Sequence, residues 1–241
     1  MWSANLFFML RPRTELILKL VVEDYIRSAE PVGSKYLNAQ YQIGVSDATV
    51  RADLAALEKL EFLRAPHTSA GRIPTEKGYM YYLKNLRDKT FVIKGSPMRQ
   101  AIKRSLDTQA AMKSVAKQLS ELSGETAIVA MDPHWSYYAG VSNLFHKPDF
   151  HSLELAQSLS DMIDQFDDVL EKIRPSAEDE PQVFIGSSNP FSPLMATIVV
   201  RTDLAGNPGL LGLMGPLRMD YGRNIALVER AKEVIDEYVY E

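Results

Sequence analysis

Apolar residues recur at helical spacing from the start of the chain. Leu16, Ile17, Leu20, Val21 and Tyr25 predict a helix over 13–27. Pro31 and Gly33 punctuate the next stretch, and Ser34 is placed to cap a short second helix ending near Gln40. Gly44 marks the next turn. Ser46 is placed to cap a third helix, and Asp47 in its first turn suits the helix dipole. This third helix has two faces. Val50, Leu54, Leu57 and Leu60 form an apolar stripe; Ala48, Arg51, Ala52, Ala55 and Lys59 lie opposite. A short helix, a turn and a two-faced helix make a helix-turn-helix layout, whose second helix enters the major groove of DNA. The same pattern also fits a three-helix bundle with a solvated face.

Phe62-Leu63-Arg64 and Arg72-Ile73 read as two short strands around a polar loop, Pro66 to Gly71. That hairpin is placed like a wing. Thr75 caps a closing helix with Tyr79, Tyr82, Leu83 and Leu86 on one face. In a winged helix, Arg72 and the tip residues His67, Thr68 and Ser69 touch DNA backbone or minor groove. The alternative keeps His67 as a loop histidine and has Arg72 holding the hairpin by hydrogen bonds.

The pattern changes after residue 90. Thr90 to Met98, with Gly95, Ser96 and Pro97, reads as a linker. One long helix is predicted over 97–123, with a seam of Met112, Val115, Leu119 and Leu122 that suits its own domain or a partner helix. Strand-like runs then cover 127–131, 137–141, 182–185, 196–202 and 210–214. Helices are predicted over 152–173 and 223–239. Strands with helices segregated around them predict an α+β class. The organisation is a DNA-binding domain over 1–90, a linker and long helix over 91–123, and a regulatory or dimerisation domain over 124–241.

Composition sets limits on this outline. The 241 residues, 46% hydrophobic and 24% charged, suit one large or two small soluble domains. No run approaches a membrane span, and Leu6 to Leu10, with no basic residue before it, does not read as a signal peptide. The absence of cysteine excludes disulfides and thiol chemistry and makes a cytoplasmic location the default. The net charge of -4 is uneven. Residues 11–90 hold 13 Lys/Arg and 10 Asp/Glu, whereas 91–241 hold 14 and 21. A mildly basic front allows nucleic-acid binding without demanding it.

No catalytic constellation emerges, so no enzyme, metal or cofactor is expected. His146, Asp149 and His151 lack the helical spacing of a zinc site. Gly209, Gly212 and Gly215 match no phosphate-binding fingerprint and read as strand punctuation. Asp167 and Asp168 fall on a solvated helix face, and Glu178 to Glu180 form a solvated acidic loop.

Several strings carry a family resemblance. They are Val22-Glu23-Asp24-Tyr25-Ile26, Glu30-Pro31-Val32-Gly33-Ser34, Val45 to Asp53, Pro66-His67-Thr68-Ser69-Ala70-Gly71-Arg72-Ile73-Pro74-Thr75 and Lys77-Gly78-Tyr79. Later blocks are Gly140 to Leu144, Pro148-Asp149-Phe150, Ile185-Gly186 with Asn189-Pro190, and Gly215 to Tyr221. Together they resemble the HrcA heat-inducible transcription repressors. The resemblance implies a winged helix followed by a reduced GAF-like domain. It implies a dimer on an inverted-repeat, double-stranded operator of chaperone genes, with the chaperonin GroEL favouring the active repressor. Three departures stand out. Only Asp132 to Ala139 occupies the place where the family carries further strands and an inserted dimerisation domain. Ala52 replaces a usual asparagine. The family's start resembles Met9 onward.

On this reading Ser34 and Lys35 support backbone contacts of the second helix, and Ser46, Asp47 and Thr49 lie near phosphates and bases. Arg51 is the candidate for base readout, since a guanidinium can grip guanine O6 and N7 together. His67, Thr68, Ser69 and Arg72 supply the wing contacts. The other readings are a regulator of other genes whose GAF-like domain senses a small molecule or protein, and a winged helix that meets protein instead of DNA.

Overall fold

The computed structural model describes residues 10–67, 71–86, 93, 96–132, 135–151, 157, 160–161, 163–204 and 207–238. It has mixed α and β structure and divides into two compact units, residues 1–87 and 88–241.

The first unit has helices α1 (Pro12–Ser28), α2 (Ser34–Tyr41) and α3 (Asp47–Lys59). A two-stranded hairpin comes next, β1 (Leu63–Arg64) and β2 (Ile73–Pro74), and then α4 (Glu76–Lys84). Pro12 suits the first turn of α1, where its missing N–H costs nothing. Ile17, Val21, Leu37, Val50, Leu57, Leu63 and Tyr79 fill the core. Two details depart from the sequence pattern. Leu60 ends the α3 stripe but is 38% exposed, because the helix stops there and the chain turns through Glu61 at φ 63°. Ser34 does not cap α2. Gly33 holds that place with no side-chain cap, and Ser34, one residue inside, is buried.

The second unit is built on a five-stranded antiparallel sheet of order β4-β3-β7-β6-β5. Its strands are β3 (Thr126–Asp132), β4 (Trp135–Ala139), β5 (Gln182–Ile185), β6 (Met195–Leu204) and β7 (Asn207–Pro216). On one face Ile128, Ala130, Met195, Val199, Leu210 and Met214 pack against Leu144 of α7 (Val141–Phe145). The same cluster takes Phe166, Val169, Leu170 and Ile173 of α8 (Phe166–Ile173). The other face is covered by α6 (Thr108–Ser123) on β3 and β4, and by α9 (Tyr221–Tyr238) on β6 and β7. Alternation along each strand supplies both faces, so most strand residues are apolar.

Three predicted elements change. The single helix over 97–123 is two, α5 (Ser96–Lys103) and α6. Asp107 ends the run by accepting the Ala110 N–H at 2.7 Å, an N-cap that starts a new helix. The seam residues Met112, Val115 and Leu119 are fully buried within their own unit. The strand predicted over 137–141 stops at Ala139. Gly140, at φ 83°, turns the chain into α7, a conformation that a residue with a Cβ rarely adopts. The helix predicted over 152–173 is interrupted at Gln165, and residues 152–156 lie outside the described residues.

Candidate nucleic-acid interface

Two polar locks fix α3 and α2 on α1, and a third ties α2 to the start of α3. Asp53 of α3 is buried and accepts from Arg13 Nε at 2.7 Å and Thr14 Oγ1 at 3.0 Å. The hydrogen bond and charge of this carboxylate raise the Arg13 pKa. Asp24, buried near the end of α1, accepts from Tyr41 Oη at 2.8 Å and Tyr36 Oη at 3.4 Å and pairs with Arg27. Burial also raises the Tyr41 pKa, which keeps that phenol a donor. Asn38 Nδ2 donates to the Val45 carbonyl at 2.8 Å and to Asp47 Oδ1 at 2.7 Å, so α2 holds the turn and the first residue of α3.

These locks leave one face of α3 outward. Ala48, Arg51, Ala52, Ala55 and Lys59 are all exposed. Arg51 has no hydrogen bond or ion pair with any described residue. Ser46 is exposed and caps the helix, accepting the Thr49 N–H at 3.2 Å, and its hydroxyl lies 2.9 Å from Thr49 Oγ1. Asp47 and Thr49 are half-buried, and Lys35 is exposed on α2. The exposed face carries Arg51 and Lys59 with the alanines Ala48, Ala52 and Ala55 beside them. Backbone can approach a groove closely there.

The hairpin is tied from two sides. Thr75 Oγ1 donates to the Glu61 carbonyl at 2.6 Å and accepts the Gly78 N–H at 3.1 Å, capping α4. Lys77 Nζ donates to the Leu60 carbonyl at 2.8 Å and lies 4.9 Å from the centre of the Phe62 ring. On the other side, Arg72 exchanges both backbone hydrogen bonds with Val32, at 2.8 and 2.9 Å. Its side chain donates to Glu58 of α3, from Nε at 2.9 Å. His67 is exposed; Thr68 and Ser69 lie outside the described residues. Much of the Pro66–Tyr79 string therefore serves the hairpin itself. Sequence reasoning assigned no role to Glu58, Asn38, Asp53 and Asp24; the partners of Asp53 lie 39 and 40 positions away and that of Glu58 fourteen, beyond any local pattern.

The sheet unit holds a separate charged cluster. Glu125 is buried and ion-paired with Lys147, and Arg218 grips Asp149 at 2.7 and 3.1 Å. Burial pushes the Glu125 carboxyl up to about 7, against the opposing pull of Lys147 and Arg218. Asp149 is thus engaged by an arginine. No group of three or more metal-ligating side chains occurs among the described residues. Nor is any helix among them long and apolar enough to cross a membrane.

Comparison with known proteins places this architecture. The sequence profile of the HrcA protein C-terminal domain matches residues 84–225. The chain belongs to the HrcA family. The heat-inducible transcription repressor HrcA of Bifidobacterium longum is 47% identical over 126 residues, 51% of this chain and 33% of that protein. The chain therefore spans about a third of the length of the first curated HrcA relatives it matches. The repressor of the same name from Halalkalibacterium halodurans is 26% identical over 327 positions, covering 92% of this chain and 95% of that protein. A chain of 241 residues cannot fill 327 positions, so that HrcA has residues with no counterpart here. The tight β3–β4 pairing, with Asp132 opposite Trp135, leaves just two residues where the resemblance places the family insertion. A crystal structure described as a hypothetical protein at 2.2 Å resolution shares the fold, with a TM-score of 0.77 at 18% identity. It covers 95% of this chain and 98% of that one.

Proposed function

We propose that this HrcA-family chain represses heat-inducible, chaperone-encoding genes by binding an inverted-repeat operator in double-stranded DNA as a homodimer. Residues 1–90 act as a winged helix-turn-helix domain, and 124–241 as a reduced GAF-like regulatory and dimerisation domain joined to it through 91–123. The observation that carries the reading is the outward face of α3, where Arg51, with no hydrogen bond or ion pair among the described residues, stands among Ala48, Ala52 and Ala55. An exposed guanidinium can donate two hydrogen bonds to one guanine, and alanines let the helix backbone enter the groove. Lys35, Ser46 and Thr49 supply contacts at the ends of the two helices, and His67, Thr68 and Ser69 at the hairpin tip. The weak net positive charge of this segment gives little non-specific affinity, so recognition draws on two half-sites and hence on two copies. The relatives' name supports the heat-shock assignment. GroEL is the partner that would couple repression to chaperone demand, in the cytoplasm and without catalysis.

The test is a gel-shift titration of the full chain at two salt concentrations. One duplex carries a chaperone-promoter inverted repeat and the other a scrambled version. Tight binding to the repeat alone, weakening with salt, is the expected result. Equal, weak binding to both duplexes would reject this target, and sedimentation of the free protein reads the dimer directly.

A further inference from the structure

We infer that Arg72 is a positioning residue that latches the hairpin to α3, and that it makes no DNA contact of its own. The inference rests on reading the first unit as a DNA-binding domain. Arg72 directs Nε and Nη2 at one oxygen of Glu58, at 2.9 and 2.8 Å, and Nη1 at the Gly71 carbonyl at 3.4 Å. Its side chain is only 24% exposed. Its backbone N–H and carbonyl are both bonded to Val32, immediately ahead of α2. At the neighbouring Gly71, a Cβ would stand 2.5 Å from the Val32 carbonyl carbon, so this close approach admits only glycine. One residue thus joins the return strand of the hairpin to the start of α2 through its backbone and to α3 through its side chain.

Charge decides against a second role. A phosphate reaching the Arg72 guanidinium would meet the Glu58 carboxylate on the same group. The pair presents no net charge to the phosphate, and separating it would leave the carboxylate beside a second anion. Arg51, by contrast, has no carboxylate partner among the described residues. The two roles give the Glu58 carboxylate effects of opposite sign. If Arg72 is a latch, removing the carboxylate loosens the hairpin and weakens binding. If Arg72 is a phosphate ligand, removing it frees the cation and tightens binding.

The experiment measures the affinity of full-length protein for the inverted-repeat duplex across a salt series. It compares wild type, Arg72→Gln, Glu58→Gln and the exchanged pair Glu58→Arg with Arg72→Glu. Both single variants are expected to bind at least several-fold more weakly with an unchanged salt slope, and the exchanged pair to regain most of the loss. Amide exchange at Val32 and Arg72 should quicken in the single variants and slow again in the exchanged pair. A slope reduced by about one in Arg72→Gln, or tighter binding by Glu58→Gln, would overturn the inference while leaving the DNA reading intact. Unchanged amide protection in both single variants would also overturn it. Failure of the wild type to bind either duplex would overturn the DNA reading, and this assignment with it.

Discussion

Asn38 and Asp47 are joined at 2.7 Å across the turn between α2 and α3. The same amide nitrogen donates to the Val45 carbonyl, so one side chain fixes both the turn and the start of the outward helix. Asn38→Ala removes a hydrogen bond to a carboxylate and one to a carbonyl in a partly buried setting. A loss of about 1–3 kcal/mol in urea unfolding is expected. On the proposed function, operator affinity should fall further than stability alone explains, because the turn would set the angle at which α3 meets DNA. Unchanged stability and affinity would show that the backbone holds this turn unaided.

Arg51→Ala separates recognition from folding. The side chain is exposed and makes no hydrogen bond or ion pair with a described residue, so stability should stay within about 0.5 kcal/mol of wild type. Specific binding should weaken by about 1–3 kcal/mol, with discrimination relaxed at one base pair of each half-site. A binding titration over single-base operator variants reads this. Uniform weakening across all variants would move Arg51 from a base to a phosphate.

Gly78 reverses an ordinary expectation. Gly78 lies in the first turn of α4, and within a helix glycine to alanine usually stabilises by up to about 1 kcal/mol. Here a Cβ would stand 2.2 Å from the Phe62 carbonyl oxygen, far inside contact distance. Thr75 and Lys77 hold that same turn, so it cannot retreat without losing their bonds. Gly78→Ala is expected to destabilise by about 1–3 kcal/mol, as overpacking does. A raised melting temperature would show that the α3–β1 turn is pliable.

Elements with an unbroken stripe were legible in the chain, and those ended by a single local bond were not. Val50, Leu54 and Leu57 of α3 and the apolar run of β5 fall where periodicity places them. The α5–α6 break is invisible to periodicity, since Met98, Ile102, Met112 and Val115 are all buried and the Asp107 cap alone divides them. Gly140 likewise ends a strand whose alternation continues past it. The outward α3 residues could be read because exposure is set by the helical period. Arg72 could not be resolved, because its partner Glu58 lies fourteen positions back on the flank of a helix. Ser34 misled for a simple reason: a serine beside a glycine reads as the cap, while the glycine's extended backbone already takes that place.

The buried carboxyl of Glu125 makes the sheet unit sensitive to pH near neutrality. Folding raises its pKa from 4.5 to about 7, so the folded state holds a proton that the unfolded state releases earlier. By linkage, this group's contribution is fully present below pH 4.5, declines as pH rises, and is lost by about pH 7. The span corresponds to ~3 kcal/mol. Lys147 limits the loss by pairing with the carboxylate once it forms, and Arg218, itself held by Asp149, adds a weaker pull. Glu125→Gln replaces the titrating group with a neutral one of similar shape. Urea midpoints at pH 5, 6, 7 and 8 should fall more steeply for wild type than for this variant, with the divergence confined below about pH 7. Parallel profiles would mean that Glu125 is already ionised at pH 5, its Lys147 pairing outweighing the cost of burial.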